Sequence, residues 1–199
     1  MCRKLRLIVG ISGASGGIYG IKALSILKKY NIESHLVVTR NALVTLKHEL
    51  NIHRQSIQKM ADFVYFSQDI GAIISSGSYK TLGMLIAPCS IKTMSEIKSG
   101  VTSSLISRVA DVMLKEKRKL VLIIRETPLH VGHLRTMVKL AEFGAVIMPP
   151  VPAYYTNPKT IDDIVYYSVI RMLNLFGIYS DPLSKSESWL GINQQNHCD

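Results

Sequence analysis

Short apolar runs alternate with longer stretches of helical periodicity over most of the chain. An apolar run predicts a first strand over Leu5 to Ser12, and apolar residues at helical spacing then predict a helix over Ile18 to Tyr30. A second strand over Glu33 to Thr39 and a second helix over Asn41 to Leu50 repeat this order. The first fifty residues therefore predict a β-α-β-α arrangement.

The middle of the chain is less regular before the alternation returns. Residues 51–82 contain a polar helical piece around Ser56 to Asp62, a short strand over Phe63 to Phe66 and a serine-rich turn at 75–78. The later elements are predicted as strands over Met84 to Ala87, Leu120 to Ile124 and Ala145 to Met148, and as helices over Ile91 to Ile97, Leu105 to Lys115, Val131 to Phe143 and Ile161 to Phe176.

Strands joined by helices of this length pair in parallel through right-handed crossovers. The sequence therefore predicts an α/β fold with a doubly wound, Rossmann-like parallel sheet. A chain of 199 residues that is 47% hydrophobic can bury a substantial core. We expect a single domain over residues 1–180 and a C-terminal tail over 181–199, which is polar apart from Trp189 and Leu190.

The net charge of +10 suits an anionic partner, which could be a phosphorylated small molecule, a nucleic acid or a membrane surface. Basic residues are nevertheless scattered along the chain. The densest cluster is Lys115, Lys117, Arg118 and Lys119, which we interpret as a solvated basic turn at the end of a helix. The lack of a basic stripe with stacking aromatics disfavours a nucleic-acid partner.

Cysteine and histidine usage indicates a reducing compartment and no metal site. Cys2, Cys89 and Cys198 are odd in number and far apart, which argues against a disulfide framework. His130 and His133 are three residues apart, but the nearby sequence offers no third ligand. The apolar runs are too short for a membrane span or a signal peptide. We therefore expect a cytoplasmic protein.

The loop after the first predicted strand is rich in glycine and serine. Its glycines, at positions 10, 13, 16, 17 and 20, fit neither the dinucleotide-binding fingerprint nor the P-loop. Glycine lets the backbone approach a ligand closely, Ser12 and Ser15 offer hydroxyl donors, and the next helix offers its N-terminal N–H groups. We expect a phosphate-bearing ligand here, with a tight turn that binds nothing as the alternative.

A second strand-to-helix junction offers further donors at the same edge of the sheet. In parallel sheets of this kind, ligands bind at the carboxyl ends of the strands. Ser90 can cap the helix that follows, and Lys92 and Thr93 can bind phosphate; a plain N-cap beside a surface lysine is the alternative. Thr39 and Arg125 follow two other strands at this edge. Together these loops suggest a ligand with several polar regions, such as FMN.

Carboxylates are scarce, with only 14 Asp and Glu residues, so two of them stand out. Glu49 lies near the end of an otherwise apolar and basic helix, where a solvated helix end is the alternative interpretation. Glu126 directly follows Arg125 at a strand end. We expect it either to form a structural ion pair with that arginine or to serve as a general acid held by it.

Two tyrosines and an arginine near the C-terminus complete the candidates. The rigid segment over residues 149–153 presents Tyr154 and Tyr155 after a predicted strand. Arg171 interrupts the apolar face of the last helix. It either turns to solvent or, if it faces the ligand edge, clamps a phosphate.

Five motifs, in this order, resemble those of the UbiX flavin prenyltransferases. The match runs from about Leu5 to Trp189, and five ordered motifs are far more specific than any one of them. The motifs are Gly10-Ile-Ser-Gly-Ala-Ser-Gly, Pro88-Cys-Ser-Ile-Lys-Thr, Ala110-Asp-Val-Met-Leu-Lys-Glu, Arg125-Glu-Thr-Pro-Leu-His and Met148-Pro-Pro-Val-Pro-Ala-Tyr-Tyr.

The resemblance implies a Rossmann-like flavoprotein that joins a dimethylallyl group, from dimethylallyl phosphate, to N5 and C6 of reduced FMN. The product would be the prenylated flavin used by UbiD-type decarboxylases, including that of ubiquinone biosynthesis. The family also implies a homo-oligomer, a dodecamer, with sites between subunits. No metal is required.

The resemblance also assigns residues to roles. FMN contacts fall on Gly13, Ala14, Ser15, Thr39, Ser90, Ile91, Lys92, Thr93 and Arg125. The dimethylallyl phosphate site falls on Lys115, Glu126, Tyr155 and Arg171, with Arg108 from a neighbouring subunit and Trp189 closing the apolar pocket. Glu126 would supply or steer a proton for the leaving phosphate. We hypothesise that Ser15 and Glu49 manage the removal of a proton as the fourth flavin ring closes.

Two other functions remain as alternatives. An FMN-dependent decarboxylase of the Cys-decarboxylase type shares the sheet and the FMN cradle, but it uses a catalytic His and a Pro-x-Met-Asn-x-x-Met signature. Neither is found in this sequence. A non-catalytic flavin-binding subunit would have no need of the set Glu49, Lys115, Glu126, Tyr155 and Arg171.

Overall fold

The computed structural model of the protein describes residues 4–178, which form one six-stranded parallel sheet with helices on both faces. The strands are β1 (Arg6–Ile11), β2 (Glu33–Val38), β3 (Phe63–Phe66), β4 (Gly83–Cys89), β5 (Lys119–Ile124) and β6 (Val146–Ile147). The helices are α1 (Gly17–Lys29), α2 (Arg40–Leu50), α3 (Arg54–Ile57), α4 (Ile91–Lys98), α5 (Leu105–Lys115), α6 (Val131–Glu142) and α7 (Ile161–Asn174).

The strands lie in the order β3-β2-β1-β4-β5-β6, and every neighbouring pair is parallel. The chain first winds outward from β1 to β3 and then returns to the other side of β1 at β4. Adjacent strands β1 and β4 therefore feed crossovers of opposite direction, which opens a crevice at their carboxyl ends. The predicted fold class, a doubly wound parallel α/β sheet, is confirmed.

Alternate residues of the strands build two apolar layers, one on each face of the sheet. Leu7, Val9 and Ile11 of β1 pack beneath α1 and α7, whereas Ile8 faces the layer under α4 and α5. All four side chains are fully buried. Because the interior strands are covered on both faces, they are apolar at nearly every position, as the sequence indicated.

Strand β4 extends further than its apolar run predicts. The sequence indicates a strand that ends at Ala87, but the structure continues it to Cys89, which pairs with Ile124 after an irregularity beyond Ile86. Cys89 is fully buried among the core residues, and this burial raises the pKa of its thiol well above the ordinary range. Because the strand continues to Cys89, only Ser90 separates it from helix α4.

The basic turn at the end of α5 differs from the sequence interpretation at one residue. Arg118 is not solvated, since its side chain is only 10% exposed. Its guanidinium donates hydrogen bonds to the carbonyl oxygens of Tyr79, at 2.6 Å, and of Gly77. It therefore ties the loop before β4 to the end of α5, a contact between segments that sequence spacing could not reveal.

Candidate functional site

Helix α2 packs directly across the glycine-rich loop that joins β1 to α1. A methyl group added to Gly13 would lie 2.4 Å from Cβ of Asn41, and one added to Gly17 would lie 2.5 Å from a methyl of Leu46. Real side chains do not approach so closely. Helix packing therefore requires glycine at position 13, whether or not the backbone also approaches a ligand, whereas a side chain at position 17 would displace the end of Leu46.

Ser12 bridges this loop to the second strand-to-helix junction. Its buried hydroxyl donates to the carbonyl oxygen of Pro88 at 2.9 Å and accepts from the Ser90 amide at 2.8 Å. The sequence suggested Ser12 as a phosphate donor, and that was wrong, because its proton already goes to Pro88. Ser12 instead fixes the spacing of two loops at the crevice between β1 and β4.

We expect Ser12→Ala to lower the free energy of unfolding by about 1–3 kcal/mol, because it leaves a buried amide and a buried carbonyl without this partner. Urea denaturation measures the change. Ser25→Ala is the matched control, since Ser25 is exposed on α1 and its replacement should be nearly neutral. Equal stability of the two variants would show that the bridge does not hold the loops.

A cavity of about 390 Å³ lies at the carboxyl edge of the sheet, where α2, α4 and α5 all begin. Thr39, Ser90 and Ser104 are the N-caps of these helices, and each side chain accepts a backbone N–H of its own helix. Helix N-termini carry partial positive charge, so three of them converging on one space favour a bound anion.

The side chains around this cavity are mainly hydroxyls, with two cations. Arg40 and Lys92 bring positive charge, and Lys92 lies 3.8 Å from the carboxylate of Glu96. The cavity is lined by Gly13, Thr39, Arg40, Asn41, Ser67, Ser90, Lys92, Thr93, Glu96, Ser103, Ser104 and Ile106. It thus brings together five of the predicted FMN contacts, namely Gly13, Thr39, Ser90, Lys92 and Thr93.

Sequence reasoning missed three of the hydroxyls in this cavity. Ser67 directly follows β3, so its position after a strand could have placed it at the ligand edge. Ser103 and Ser104 precede α5, and Ser104 forms a capping box with Ser107. A serine directly before a helical run was the available signal for that cap.

A second cavity, of about 260 Å³, lies between the segment that follows β6 and helix α7. Tyr155 and Arg171, both predicted to hold dimethylallyl phosphate, line it together with Tyr167 and Ser168. Proline-rich residues 148–153 form the opposite wall. Arg171 is exposed, which agrees with the alternative in which its side chain turns to solvent. It also lines the concave space beside Tyr155.

The two predicted catalytic carboxylates accept hydrogen bonds from backbone amides. Glu49, near the end of α2, accepts from the amide of Gly16 at 3.0 Å, which places its charge at the N-terminus of α1. Glu126 accepts from the Thr127 amide at 3.1 Å. Neither carboxylate forms an ion pair within residues 4–178, so the structural ion pair, one of the two alternatives for Glu126, is not observed there. Both side chains are exposed to solvent.

The remaining predicted FMN contacts surround the first cavity without lining it. Ala14 and Ser15 are half-buried in the loop after β1, and Ile91 opens α4. Arg125 follows β5, and its amide donates to the Cys89 carbonyl at 3.2 Å. All four therefore belong to the same edge of the sheet as the cavity.

Arg108 and Lys115, the two predicted phosphate ligands on α5, do not line the second cavity with Tyr155 and Arg171 of the same chain. Arg108 lies in the first turn of α5 and pairs with Asp111 at 3.2 Å. Lys115 ends the helix about 10 Å further on, at the opposite edge of the sheet, and contacts Glu116 at 2.6 Å. Trp189 lies outside the described residues.

The described residues offer neither a metal-binding cluster nor a membrane-spanning helix. Between residues 4 and 178, no three His, Cys, Asp or Glu side chains are grouped so that they could hold a metal ion. In the same part of the chain, no helix has the length and apolar character needed to cross a membrane.

Fold and site together define a flavoprotein, and a sequence profile of the Flavoprotein family matches residues 1–173. More particularly, the chain belongs to the UbiX flavin prenyltransferase family. The flavin prenyltransferase UbiX of Escherichia coli (strain K12) is 54% identical over 174 residues, which make up 87% of this chain and 92% of that protein. The family resemblance carried by the five motifs is confirmed.

Solved structures of relatives share the fold closely. The crystal structure of AnUbiX in complex with FMN and dimethylallyl pyrophosphate has a TM-score of 0.87 and 47% identity, and the match covers 89% of this chain and 94% of that one. A dodecameric FMN-dependent UbiX-like decarboxylase from Escherichia coli O157:H7 has a TM-score of 0.86 and 43% identity, over 88% and 96% of the two chains.

Proposed function

We propose that this protein transfers a dimethylallyl group from dimethylallyl phosphate to N5 and C6 of reduced FMN. The product is a prenylated flavin for UbiD-type decarboxylases, including that of ubiquinone biosynthesis. The main support is the pair of cavities: one suits a hydroxyl-rich phosphorylated ligand, and the other combines an arginine with a tyrosine. The wide separation of the cysteines supports a reducing cytoplasm as its location.

The residues of the first cavity fit FMN. Its ribityl phosphate requires cations and helix N-termini, which Arg40, Lys92 and the starts of α2, α4 and α5 provide. Its ribityl chain requires hydroxyl partners, which Ser67, Ser90 and Ser103 can offer. When bound, the reduced flavin supplies the electron-rich acceptor for the allyl group.

The second cavity fits the leaving phosphate of the donor. Breaking the C–O bond of the donor transfers the bonding electrons to phosphate, so Arg171 stabilises the charge that develops there. Tyr155 donates a hydrogen bond to the same group, and Glu126 steers a proton towards it. The apolar wall of residues 148–153 excludes water from the reactive allyl group.

A neighbouring subunit completes this phosphate site. Lys115 ends α5, which packs on the face of the sheet opposite α7, so it can join Arg171 and Tyr155 only from another copy of the chain. Arg108, on the same helix, would enter the same way. We therefore propose a homo-oligomer, with the dodecamer described for the Escherichia coli O157:H7 relative as the expected assembly.

The decisive experiment gives the purified protein reduced FMN and dimethylallyl phosphate without oxygen. Mass spectrometry should then detect a flavin heavier by one prenyl unit. A parallel reaction with dimethylallyl diphosphate tests which donor is used, and one without a donor is the control. Bound flavin without prenyl transfer would favour a flavin-binding subunit, and release of CO₂ from a peptide C-terminal cysteine would favour a Cys-decarboxylase.

We expect Glu49→Gln to slow formation of the finished prenylated flavin by about tenfold or more, because an amide cannot accept the proton that ring closure releases. The Gly16 amide keeps a hydrogen-bond acceptor, so FMN affinity should change little. Rapid quenching and mass spectrometry measure the finished product and any open, singly attached flavin adduct. Wild-type rates in Glu49→Gln would remove this residue from the proton-transfer steps.

A further inference from the structure

The two tyrosines of the second cavity hydrogen bond to each other through their hydroxyl groups. Their rings meet edge to face, with centroids 6.0 Å apart and planes at 89°. Tyr155 belongs to a short 3-10 turn over Tyr154–Thr156 and is 51% exposed. Tyr167 comes from α7, four residues before Arg171, so these two side chains share one face of the helix.

Helix α7 is the more firmly held of the two elements. It begins with a capping box in which Thr160 and Asp163 satisfy each other's amides, and its inner face buries Val165, Val169 and Met172. The turn that carries Tyr155 has no buried residue of its own. Tyr167 therefore offers a fixed point against which the exposed Tyr155 ring can be oriented.

We propose that Tyr167 is a positioning residue that holds the Tyr155 hydroxyl towards the phosphate of the prenyl donor. The inference deepens the proposed function and rests on it. Tyr167 donates to the oxygen of Tyr155, and Tyr155 donates to a phosphate oxygen that Arg171 also contacts. A hydroxyl that accepts one hydrogen bond becomes a stronger donor in the next, so the chain of bonds strengthens the contact with phosphate.

Tyr167→Phe tests the proposal, because it removes the hydroxyl and keeps the ring in the cavity wall. We expect the KM for dimethylallyl phosphate to rise roughly 3- to 10-fold, as for the loss of one oriented hydrogen bond, with FMN affinity and Tm unchanged. Tyr166→Phe is the matched control, since Tyr166 is the adjacent α7 residue and packs against the core on the other side. Its KM should remain that of wild type.

A double-mutant cycle separates positioning from a direct or structural role. If Tyr167 acts through Tyr155, then Tyr167→Phe has no further effect on KM once Tyr155→Phe is present. If the factors by which the two substitutions raise KM multiply in the double variant, the proposal is overturned. An unchanged KM in Tyr167→Phe, with a raised KM in Tyr155→Phe, would overturn it as well.

Calorimetry with inorganic phosphate, in the presence of FMN, gives a readout without turnover. Weaker phosphate binding in Tyr167→Phe, but not in Tyr166→Phe, supports the positioning role even if wild-type protein makes no prenylated flavin. In that case the proposed activity is wrong, and the positioning role of Tyr167 is still supported. Equal phosphate affinity in wild type and Tyr167→Phe would overturn the role independently of the activity.

Discussion

Arg171→Ala should lower kcat/KM for prenylated flavin formation by about 10²- to 10³-fold, the effect typical of removing a charge that stabilises a transition state. Among the described residues of one chain that line the second cavity, Arg171 is the one cation, so its loss removes the charge that the cavity itself offers to the leaving phosphate. Arg171→Lys keeps the charge but loses the planar fork and should recover only part of the rate.

The readout for Arg171→Ala is the steady-state rate of flavin prenylation at varied donor concentration, with FMN affinity measured in parallel. FMN affinity should stay at the wild-type value, because Arg171 does not line the first cavity. Arg135→Ala, on the exposed surface of α6, is the matched arginine control and should behave as wild type. A wild-type rate in Arg171→Ala would place the leaving phosphate elsewhere.

Gly13→Ala should weaken FMN binding by about tenfold or more and lower the free energy of unfolding by about 1–3 kcal/mol, as overpacking does. The new methyl would lie 2.4 Å from Cβ of Asn41 and 3.3 Å from its carbonyl carbon. Backbone cannot move aside as a flexible side-chain end can. The start of α2, which carries Thr39, Arg40 and Asn41 in the cavity wall, must therefore shift.

For Gly13→Ala, fluorescence titration with FMN measures the affinity, and urea denaturation measures the free energy of unfolding. Gly71→Ala is the control, since nothing lies within 4 Å of a methyl group added there. That variant should bind FMN as wild type does and lose no stability. If Gly13→Ala matched Gly71→Ala in both measurements, the tight packing of α2 on the glycine loop would be unimportant for the site.

The strands and most helices followed from the sequence because burial imposes a periodicity on it. Strand β3 was predicted at Phe63 to Phe66 and observed there, and every predicted strand joined the sheet. The strand with the largest difference was β4, predicted over Met84 to Ala87 and observed over Gly83–Cys89, and at β6 only Val146–Ile147 of a predicted four-residue strand pairs. An edge strand has one neighbour, so fewer of its residues are fixed by hydrogen bonds.

The site was harder to predict, because its residues act through contacts between distant segments. Ser12 resembled a ligand donor until Pro88 and Ser90 were found to use its hydroxyl. Tyr167 carried no motif, and its partner Tyr155 lies twelve residues away. Ser103 and Ser104 became cavity residues only because α5 begins at the same edge as α2 and α4.

The sequence by itself determined the parallel α/β fold, the family and the edge of the sheet that carries the site. It could do so because apolar periodicity and ordered motifs are local properties of a chain. Only the tertiary structure decided that Gly13 and Gly17 accommodate α2, and that Lys115 lies apart from Arg171 within one chain. Those outcomes depend on the direction in which helices cross the sheet, and packing between remote residues sets that direction.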